Sequence, residues 1–237
     1  MLVLTWNLFH GRSVPDTRRS LLPEFAAMLA GWDWDVALLQ EVPPWWPARL
    51  AAVNGARAFA APTSRNQLLA LTRPAATWRP DLVKSWGGGC NAILVRGRVV
   101  TEHRRMRLRL APERRVMHAV RLGDGVWTGN LHASAHVEAR AVADLARAGA
   151  TLDRWSAGGP AVLGGDTNVR GPQVPGYGNC GGHVLDHVFA RGITCAGPAV
   201  TLTRHDAALD ANLSDHRPVL AEVREALGAS AVPRSAL

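Results

Sequence analysis

Two packed β-sheets flanked by helices, an α/β (α+β) sandwich, is the fold class this 237-residue sequence predicts, and three observations predict it. Strand-like segments are short, apolar or alternating. Through the middle of the chain they follow one another with no helix between them. The few helical stretches each carry one apolar stripe. Because the chain opens strand–helix–strand–helix before that run of strands, a simple doubly wound parallel sheet does not fit.

The first strand is LVLTW (2–6). Asp16 or Thr17 then caps a helix whose Leu22, Phe25, Leu29 and Trp32 fall at helical spacing, with Pro23 tolerated near the first turn. VALLQ (36–40) follows, and a short helix runs from about Pro47 to Val53. Strands come next at LLALT (68–72), NAILV (91–95), MRLRL (106–110), MHAVRL (117–122) and VWTGNLH (126–132), most of them bounded by Gly, Pro, Asn or Asp. Over 136–156, Val142, Leu145, Gly149, Leu152 and Trp155 form a stripe that leaves Glu138, Arg140, Asp144, Arg147 and Arg154 outside it. That is the pattern of an amphipathic helix laid on a sheet. AVLGG (161–165), LDHVFA (185–190) and PVLAEV (218–223) complete the strands. No repeat or linker divides the chain, so it reads as one domain, residues 1–227, with a loose tail at 228–237.

Hydrophobic residues at 47% and charged residues at 19% suit a soluble globular domain and exclude a disordered chain. No apolar run reaches the roughly 18–20 residues of a membrane span. The opening MLVLTWNLFHG enters a strand at once, without the features of an export signal, so a cytoplasmic location is expected. Cys90, Cys180 and Cys195 are odd in number, far apart and form no Cys-x-x-Cys pair. All three are expected to be reduced and structural. The net charge of +8 points to a phosphate-bearing partner, because a positive field concentrates polyanions. Lys84 is the sole lysine in a chain crowded with Ala, Arg and Gly, so part of that charge is compositional.

What ends the strands is more informative than what fills them. Asn7 ends the first, Glu41 follows VALLQ, and His132 ends VWTGNLH. Asp166 and Asn168 follow AVLGG, Asp186 lies inside an apolar run, and Asp215 and His216 sit on the lip of the last strand. Each is an oxygen or imidazole ligand at a sheet edge, where a rigid scaffold can aim it. Singly, each reads as turn chemistry or a structural histidine. As an ordered series terminating the most apolar segments, they read as a catalytic site.

TWN (5–7), LLQEV (38–42), NLHA (130–133), GGDTN (164–168), LDHVF (185–189) and SDHRPV (214–219) occur in that order. The series resembles the motifs of the endonuclease/exonuclease/phosphatase superfamily, the deoxyribonuclease-I-like fold. The resemblance runs from about residue 2 to 224; each motif is weak alone and the ordered set is specific. It implies a four-layer αββα sandwich and hydrolysis of phosphate esters with magnesium, or manganese in its place.

Elementary chemistry supports those assignments. Magnesium takes oxygen ligands and is usually held by one or two carboxylates plus substrate phosphate. Glu41 is the expected direct ligand, with Asn7 and Asp215 close behind, directly or through water. Asp166 is expected to orient or deprotonate the attacking water, and Asn168 to donate to a phosphate oxygen as charge develops there. Asp186 beside His216 would fix its tautomer and favour the imidazolium, while His187, next along the strand, faces away. His132 supplies a second imidazole, for leaving-group protonation or phosphate binding. Which histidine is acid and which is base is left open.

The resemblance also suggests Asn91 and Arg115 as contacts to substrate phosphate, although a Gly-rich turn and a solvated edge strand explain them almost as well. In deoxyribonuclease I a glutamate partners the first histidine; the nearest position here is Asn66, a departure that leaves the role of His132 open. The Trp residues are mostly expected in the core, with Trp45 and Trp46 singled out as able to line the cleft. His132 and His136 straddle a strand-to-helix junction, so a zinc site is not expected there.

The expected activity is a phosphodiesterase or nuclease acting as a monomer. A phosphatase on a small or lipid-borne phosphate is the alternative within the same chemistry. An inactive nucleic-acid-binding relative is the alternative outside it, and the intact polar set argues against that. Between Asn168 and the strand at 185–190 the chain is short and rich in Gly and Pro. Few groups remain there to read bases, so any action on nucleic acid should be sequence-blind and fall steeply with salt.

Overall fold

Val3, Val36, Leu38, Ile93 and Val95 from one sheet meet Val120, Val162 and Val188 from another at the centre of the protein. The computed structural model describes residues 1–63, 66, 69–79, 81 and 88–225. The expected tail at 228–237 and Lys84 lie outside the described residues.

In chain order the elements begin with β1 (Leu2–Asn7), β2 (Ser13–Val14), α1 (Leu22–Ala30), β3 (Val36–Val42), α2 (Pro47–Val53) and β4 (Ala56–Pro62). Next come α3 (Leu69–Trp78), β5 (Cys90–Arg96), β6 (Val100–Arg109), β7 (Arg115–Leu122), β8 (Trp127–His132), α4 (Glu138–Ser156) and β9 (Ala161–Asp166). The chain continues through β10 (Gly178–His183), β11 (Asp186–Arg191), β12 (Ile193–Cys195), β13 (Val200–Thr201), β14 (His205–Asp206), β15 (Ala211–Leu213) and β16 (Val219–Glu225).

One sheet has seven strands in the order β12-β16-β1-β3-β5-β4, with β13 also against β16. The second has six, β10-β11-β9-β8-β7-β6, and β14-β15-β2 form a small third sheet. Among the described residues only β1–β3 and β8–β9 are parallel pairs. Parallel neighbours need a crossover, and each pair has its helix, α1 and α4 respectively. Strand alternation then sets the layers. Along β1, Val3 faces the other sheet, while Leu4 and Trp6 face outward onto Phe25 and Leu29 of α1 and Leu50 of α2. On the second sheet, Leu131, Leu163 and Phe189 receive Leu145 and Leu152 of α4. Helix, sheet, sheet, helix is the four-layer sandwich expected from the sequence.

A polar bridge crosses the sandwich core beneath one end. Gln40 Nε2 donates to Asn130 Oδ1 at 2.8 Å, and Asn130 Nδ2 donates to the carbonyls of Leu39 and Ala92 at 2.9 Å each. Both side chains are fully buried. A buried network of this kind ties the two sheets in one register, with Gln40 Oε1 left as a buried acceptor without a partner.

Several expectations are corrected. Residues 69–72 of the LLALT segment belong to a helix, α3, not a strand, and Leu68 lies outside the described residues. A short apolar run is compatible with either, and the Ala, Leu and Arg around it favour helix. The first helix starts at Leu22, because Asp16 Oδ1 accepts from the Arg18 amide at 2.8 Å and turns the chain, leaving Pro23 in the first turn. Strands β4 and β10 were missed; their Ala- and Gly-rich sequences carry little strand signal. Along α4, Val142 is 46% exposed and Asp144 is buried, the reverse of the stripe. Trp46 is core, its ring 5.5 Å from that of Phe25, and neither it nor Trp45 lines the cleft described below.

The cysteines are also corrected. Cys180 and Cys195 form a disulfide with Cα atoms 5.3 Å apart, and only Cys90 is free. Cys180 sits on β10 of the second sheet and Cys195 on β12 of the first, so their pairing depends on the chain crossing between sheets after β11. No spacing in the sequence carries that information. Among the described residues no helix is long and apolar enough to cross a membrane.

Candidate active site

The two parallel pairs end side by side. Asn7 is in register with Gln40, and His132 with Asp166, so β1, β3, β8 and β9 deliver their last side chains to one cleft. This is where open α/β sheets place ligands, at the carboxyl ends of the strands. The cleft is about 440 Å³ and is lined by Asn7, Glu41, His132, Asp166, Asn168, Asp215 and His216, among others.

Local backbone features aim these groups. Glu41 has φ +50°, at a shift in the β3–β5 register between Leu39 and Val42. A bulge at a strand end re-aims a side chain, and a non-glycine residue held at positive φ is strain of the kind found at functional sites. Asn168, also at positive φ, donates its backbone N–H to Asp166 Oδ1 at 3.0 Å and its Nδ2 to the Ala133 carbonyl at 3.1 Å. The turn carrying Asp215 and His216 is stapled to β1. Ser214 Oγ donates to the Asn7 carbonyl at 2.6 Å and accepts from the His216 amide at 3.1 Å. Trp6 Nε1 donates to the His216 carbonyl at 3.2 Å.

Asp166 is the hub. Its Oδ2 accepts from Asn7 Nδ2 at 3.0 Å and lies 3.4 Å from His132 Nε2 and 3.8 Å from His216 Nε2. His216 Nδ1 lies 2.7 Å from Asp186 Oδ2. His187 points the other way, its ring stacked on Phe189. Asp186 is buried behind His216 and does not line the cleft.

The two imidazoles differ in charge. Burial alone would lower His216, but the hydrogen-bonded Asp186 carboxylate, with Asp166 and Asp215, raises it to about 9. His132 is held well below the ordinary histidine range by burial, then by the charges of Arg115, His216 and His10. At neutral pH His216 is therefore an imidazolium and His132 a neutral imidazole. Glu41 is raised by burial and by the charge of Asp215, and Asp166 by burial, with Glu41 adding to it.

The remaining sequence candidates separate. Arg115 lines the cleft, largely buried, with Nη2 2.8 Å from Glu113 Oε2. Asn91 does not reach it; the residue is fully buried and donates to the Val116 carbonyl at 2.9 Å. Asn66 is not a partner of His132 but clamps a loop, donating to the carbonyls of Thr63 and Gly89 at 2.8 Å and accepting from the Gly89 amide at 3.1 Å. The carboxylate nearest His132 Nδ1 is Glu41, at 4.0 Å.

Two residues were missed. His10, held at φ +54° in the turn after β1, places Nε2 3.2 Å from Glu41 Oε2 and lines the cleft. Its position three residues beyond Asn7 was the available signal. Asp144 accepts from the Ser134 amide at 3.0 Å and from Ser134 Oγ at 2.6 Å, with Arg109 Nη2 3.3 Å away. It thereby anchors the segment that follows His132 and whose Ala133 carbonyl holds Asn168. The buried face of α4 runs through Ala141, Asp144, Leu145, Ala148 and Leu152, whereas the stripe drawn from the sequence left Asp144 outside it.

The donor chemistry fits a divalent metal. Asp166, Asp186 and His216 bring ligand atoms within 4.8 Å of one another, and Glu41, Asn7 and Asp215 add oxygen donors. Carboxylates crowded until burial and mutual repulsion raise them are the setting in which a cation is favourable.

Comparison with known proteins agrees with this geometry. The structure resembles humanized TDP2 from D. rerio with a TM-score of 0.71 at 14% identity, covering 94% of this chain and 98% of that one. A mannosyl-6-phosphatase from Bacteroides thetaiotaomicron gives 0.67 at 16% identity, covering 94% and 99%. An endonuclease/exonuclease/phosphatase from Beutenbergia cavernae gives 0.68 at 19% identity, covering 95% and 71%. At these identities the likeness concerns the fold. No curated protein matches the sequence. Residues 4–216 match the sequence profile of the Endonuclease/Exonuclease/phosphatase family, and with the two sheets and the ordered polar ends in place, the chain belongs to that family.

Proposed function

We propose that the cleft hydrolyses phosphate esters with a divalent metal, magnesium or manganese, and that its substrates are phosphodiesters, the nucleic-acid backbone among them. One observation carries the reading: a single carboxylate, Asp166, faces a charged and a neutral imidazole within 4 Å while an amide on each side holds it in place.

In this reading Glu41, Asn7 and Asp215 hold the metal. When bound, it supplies charge neutralisation at phosphate oxygens and a lower pKa for water. His216 and Asp186 are kept as a proton-holding pair, since Asp186 is buried behind the cleft and the imidazolium would repel a cation. Asp166 orients the attacking water and accepts its proton. Asn7 and the Asn168 backbone N–H fix its two oxygens, so it meets the water in one orientation. His216 donates from Nε2 to the phosphate or the leaving oxygen, while Asp186 holds Nδ1 and stabilises the imidazolium. His132, neutral, serves as a hydrogen-bond partner to the phosphate. The Asn168 amide has a second N–H beyond the one given to Ala133, and this reaches the charge that develops on phosphate. Arg115 adds fixed positive charge at the cleft wall.

The test is a turnover screen with magnesium against DNA, RNA, a generic phosphodiester and a phosphomonoester, with Asp166→Asn as the control. Diester cleavage lost in the variant by about 10²–10⁴-fold, the range for a positioned acid or base, supports the reading. The phosphatase reading draws on the fold shared with a mannosyl-6-phosphatase. Rapid monoester cleavage with DNA and RNA untouched would select it.

A further inference from the structure

A second cavity, about 410 Å³, borders the catalytic turn through Arg217. Asp215 and His216 line the cleft, and the next residue, Arg217, lines this cavity together with Thr201, Thr203, Arg204, His205 and Asn212. Its chemistry is one-sided. Two guanidiniums, an imidazole, two hydroxyls and an amide line it, and among the described residues no carboxylate does. The nearest acid to the imidazole is Asp210, almost fully exposed, with Oδ1 3.9 Å from His205 Nε2.

The two arginines are not neutralised. Among the described residues neither makes an ion pair: Arg204 Nη1 donates to the Asp215 carbonyl, its Nε is buried with no hydrogen-bond partner, and Arg217 is exposed. Burial lowers Arg204 and the charge of Arg217 adds to that, while Asp215 and Asp186 act in the opposite sense. Like charges held at one cavity are unfavourable for the isolated chain, and an anion relieves them. Guanidinium forks match phosphate geometry, and hydroxyl and amide donors complete such a shell.

We propose that this cavity binds a phosphate group, and that the group is a second phosphate of the ester hydrolysed in the cleft. The placement supports a shared substrate, since Asp215 and Arg217 are two residues apart and their backbones are separated by at most about 7 Å. The substrate class is then an ester carrying at least two phosphates. The assignment of the second phosphate rests on the proposed phosphoesterase activity; phosphate binding in the cavity does not.

The experiment has two arms on the full chain. In the first, inorganic phosphate is titrated while backbone amide signals are followed by NMR. Saturable shifts at Thr203, Arg204 and His205, distinct from those at His132 and Asp166, are expected, and Arg217→Gln should weaken the first set about tenfold or more. Arg217→Lys should restore part of the binding. In the second, kcat/KM is compared for esters bearing one and two phosphates. Arg217→Gln should lower the two-phosphate to one-phosphate ratio about tenfold, mainly through KM. Phosphate shifts at the cavity with an unchanged ratio would show a site for free phosphate and overturn the second-phosphate assignment. No shift at the cavity overturns the proposal as a whole. Cavity shifts in a protein that cleaves no phosphoester would instead sink the proposed activity and leave the anion site standing.

Discussion

His216 Nδ1 lies 2.7 Å from Asp186 Oδ2, joining the turn before β16 of one sheet to β11 of the other across the mouth of the sandwich. The pair keeps the imidazole charged, and it ties the charge to a contact that can be removed. His216 is raised to about 9, so activity that needs its imidazolium should fall as pH rises through about 9. Asp186→Asn removes the hydrogen-bonded carboxylate and leaves burial, which lowers the histidine, opposed only by the charges of Asp166 and Asp215. The alkaline limb of the pH–rate profile should move toward neutral pH, and the rate at pH 8 should drop by about 10²–10⁴-fold. A profile unchanged by the substitution would mean that His216 is not the proton donor.

Asp144 is expected to matter to both stability and rate although it lies outside the cleft. It is almost fully buried and holds Ser134 through two hydrogen bonds and Arg109 through an ion pair. Asp144→Ala leaves those donors unmatched and should destabilise by about 3 kcal/mol or more. The Ala133 carbonyl that positions Asn168 then loses its anchor, so kcat should fall in the fraction that remains folded. Thermal melting and kcat below the melting range check the two effects separately.

The sheet holding β6 and β7 contains a histidine pair that should set acid sensitivity. His103 Nε2 lies 3.1 Å from His118 Nδ1. Burial lowers both, His103 to about 4 and His118 well below the ordinary value. The unfolded chain therefore takes up protons between about pH 6.5 and 4 that the folded chain refuses. Stability is present in full above that window and is lost as pH falls through it. The melting temperature should decline from pH 7 to pH 5 more steeply in the parent than in a variant with both positions changed to Gln.

Reduction should loosen the edge where the two sheets are stapled. The Cys180–Cys195 link spans 15 residues, and a loop of about that length is worth roughly 3 kcal/mol in the chain-entropy account. For a chain of this size that corresponds to a fall of roughly 6–12 °C in melting temperature on adding a reductant. Thiol titration of the unfolded, unreduced protein should find one free cysteine, Cys90. Three free thiols would restore the expectation drawn from the sequence.

The strand ends were legible because each polar residue flanks a short apolar strand, and that pattern survives folding intact. Asn7, Glu41, His132, Asp166, Asn168, Asp215 and His216 all reach the cleft for this reason. What the sequence did not show depends on geometry between segments. The aim of Glu41 depends on a register shift against β5, and the disulfide on two strands of different sheets meeting after a crossover. Asp144 looked like a solvent-facing helix residue because its partners, Ser134 and Arg109, lie on other elements. Asn91 was misplaced for the converse reason: its motif ends a Gly-rich turn, but the side chain points into the core and satisfies the Val116 carbonyl. The helix at 69–78 was lost to an apolar run too short to reveal its period.

The oxygen donors around Glu41 are proposed to hold a metal on which phosphoester hydrolysis depends. The measurement is the initial rate on a generic phosphodiester after chelation, as magnesium is added back, for the parent and for Glu41→Gln. Chelation should abolish turnover, magnesium should restore it in the parent with saturation, and Glu41→Gln should remain at least about 10²-fold slower and require far more magnesium. Turnover that survives chelation, or a Glu41→Gln variant with the parental magnesium dependence, would contradict the proposal.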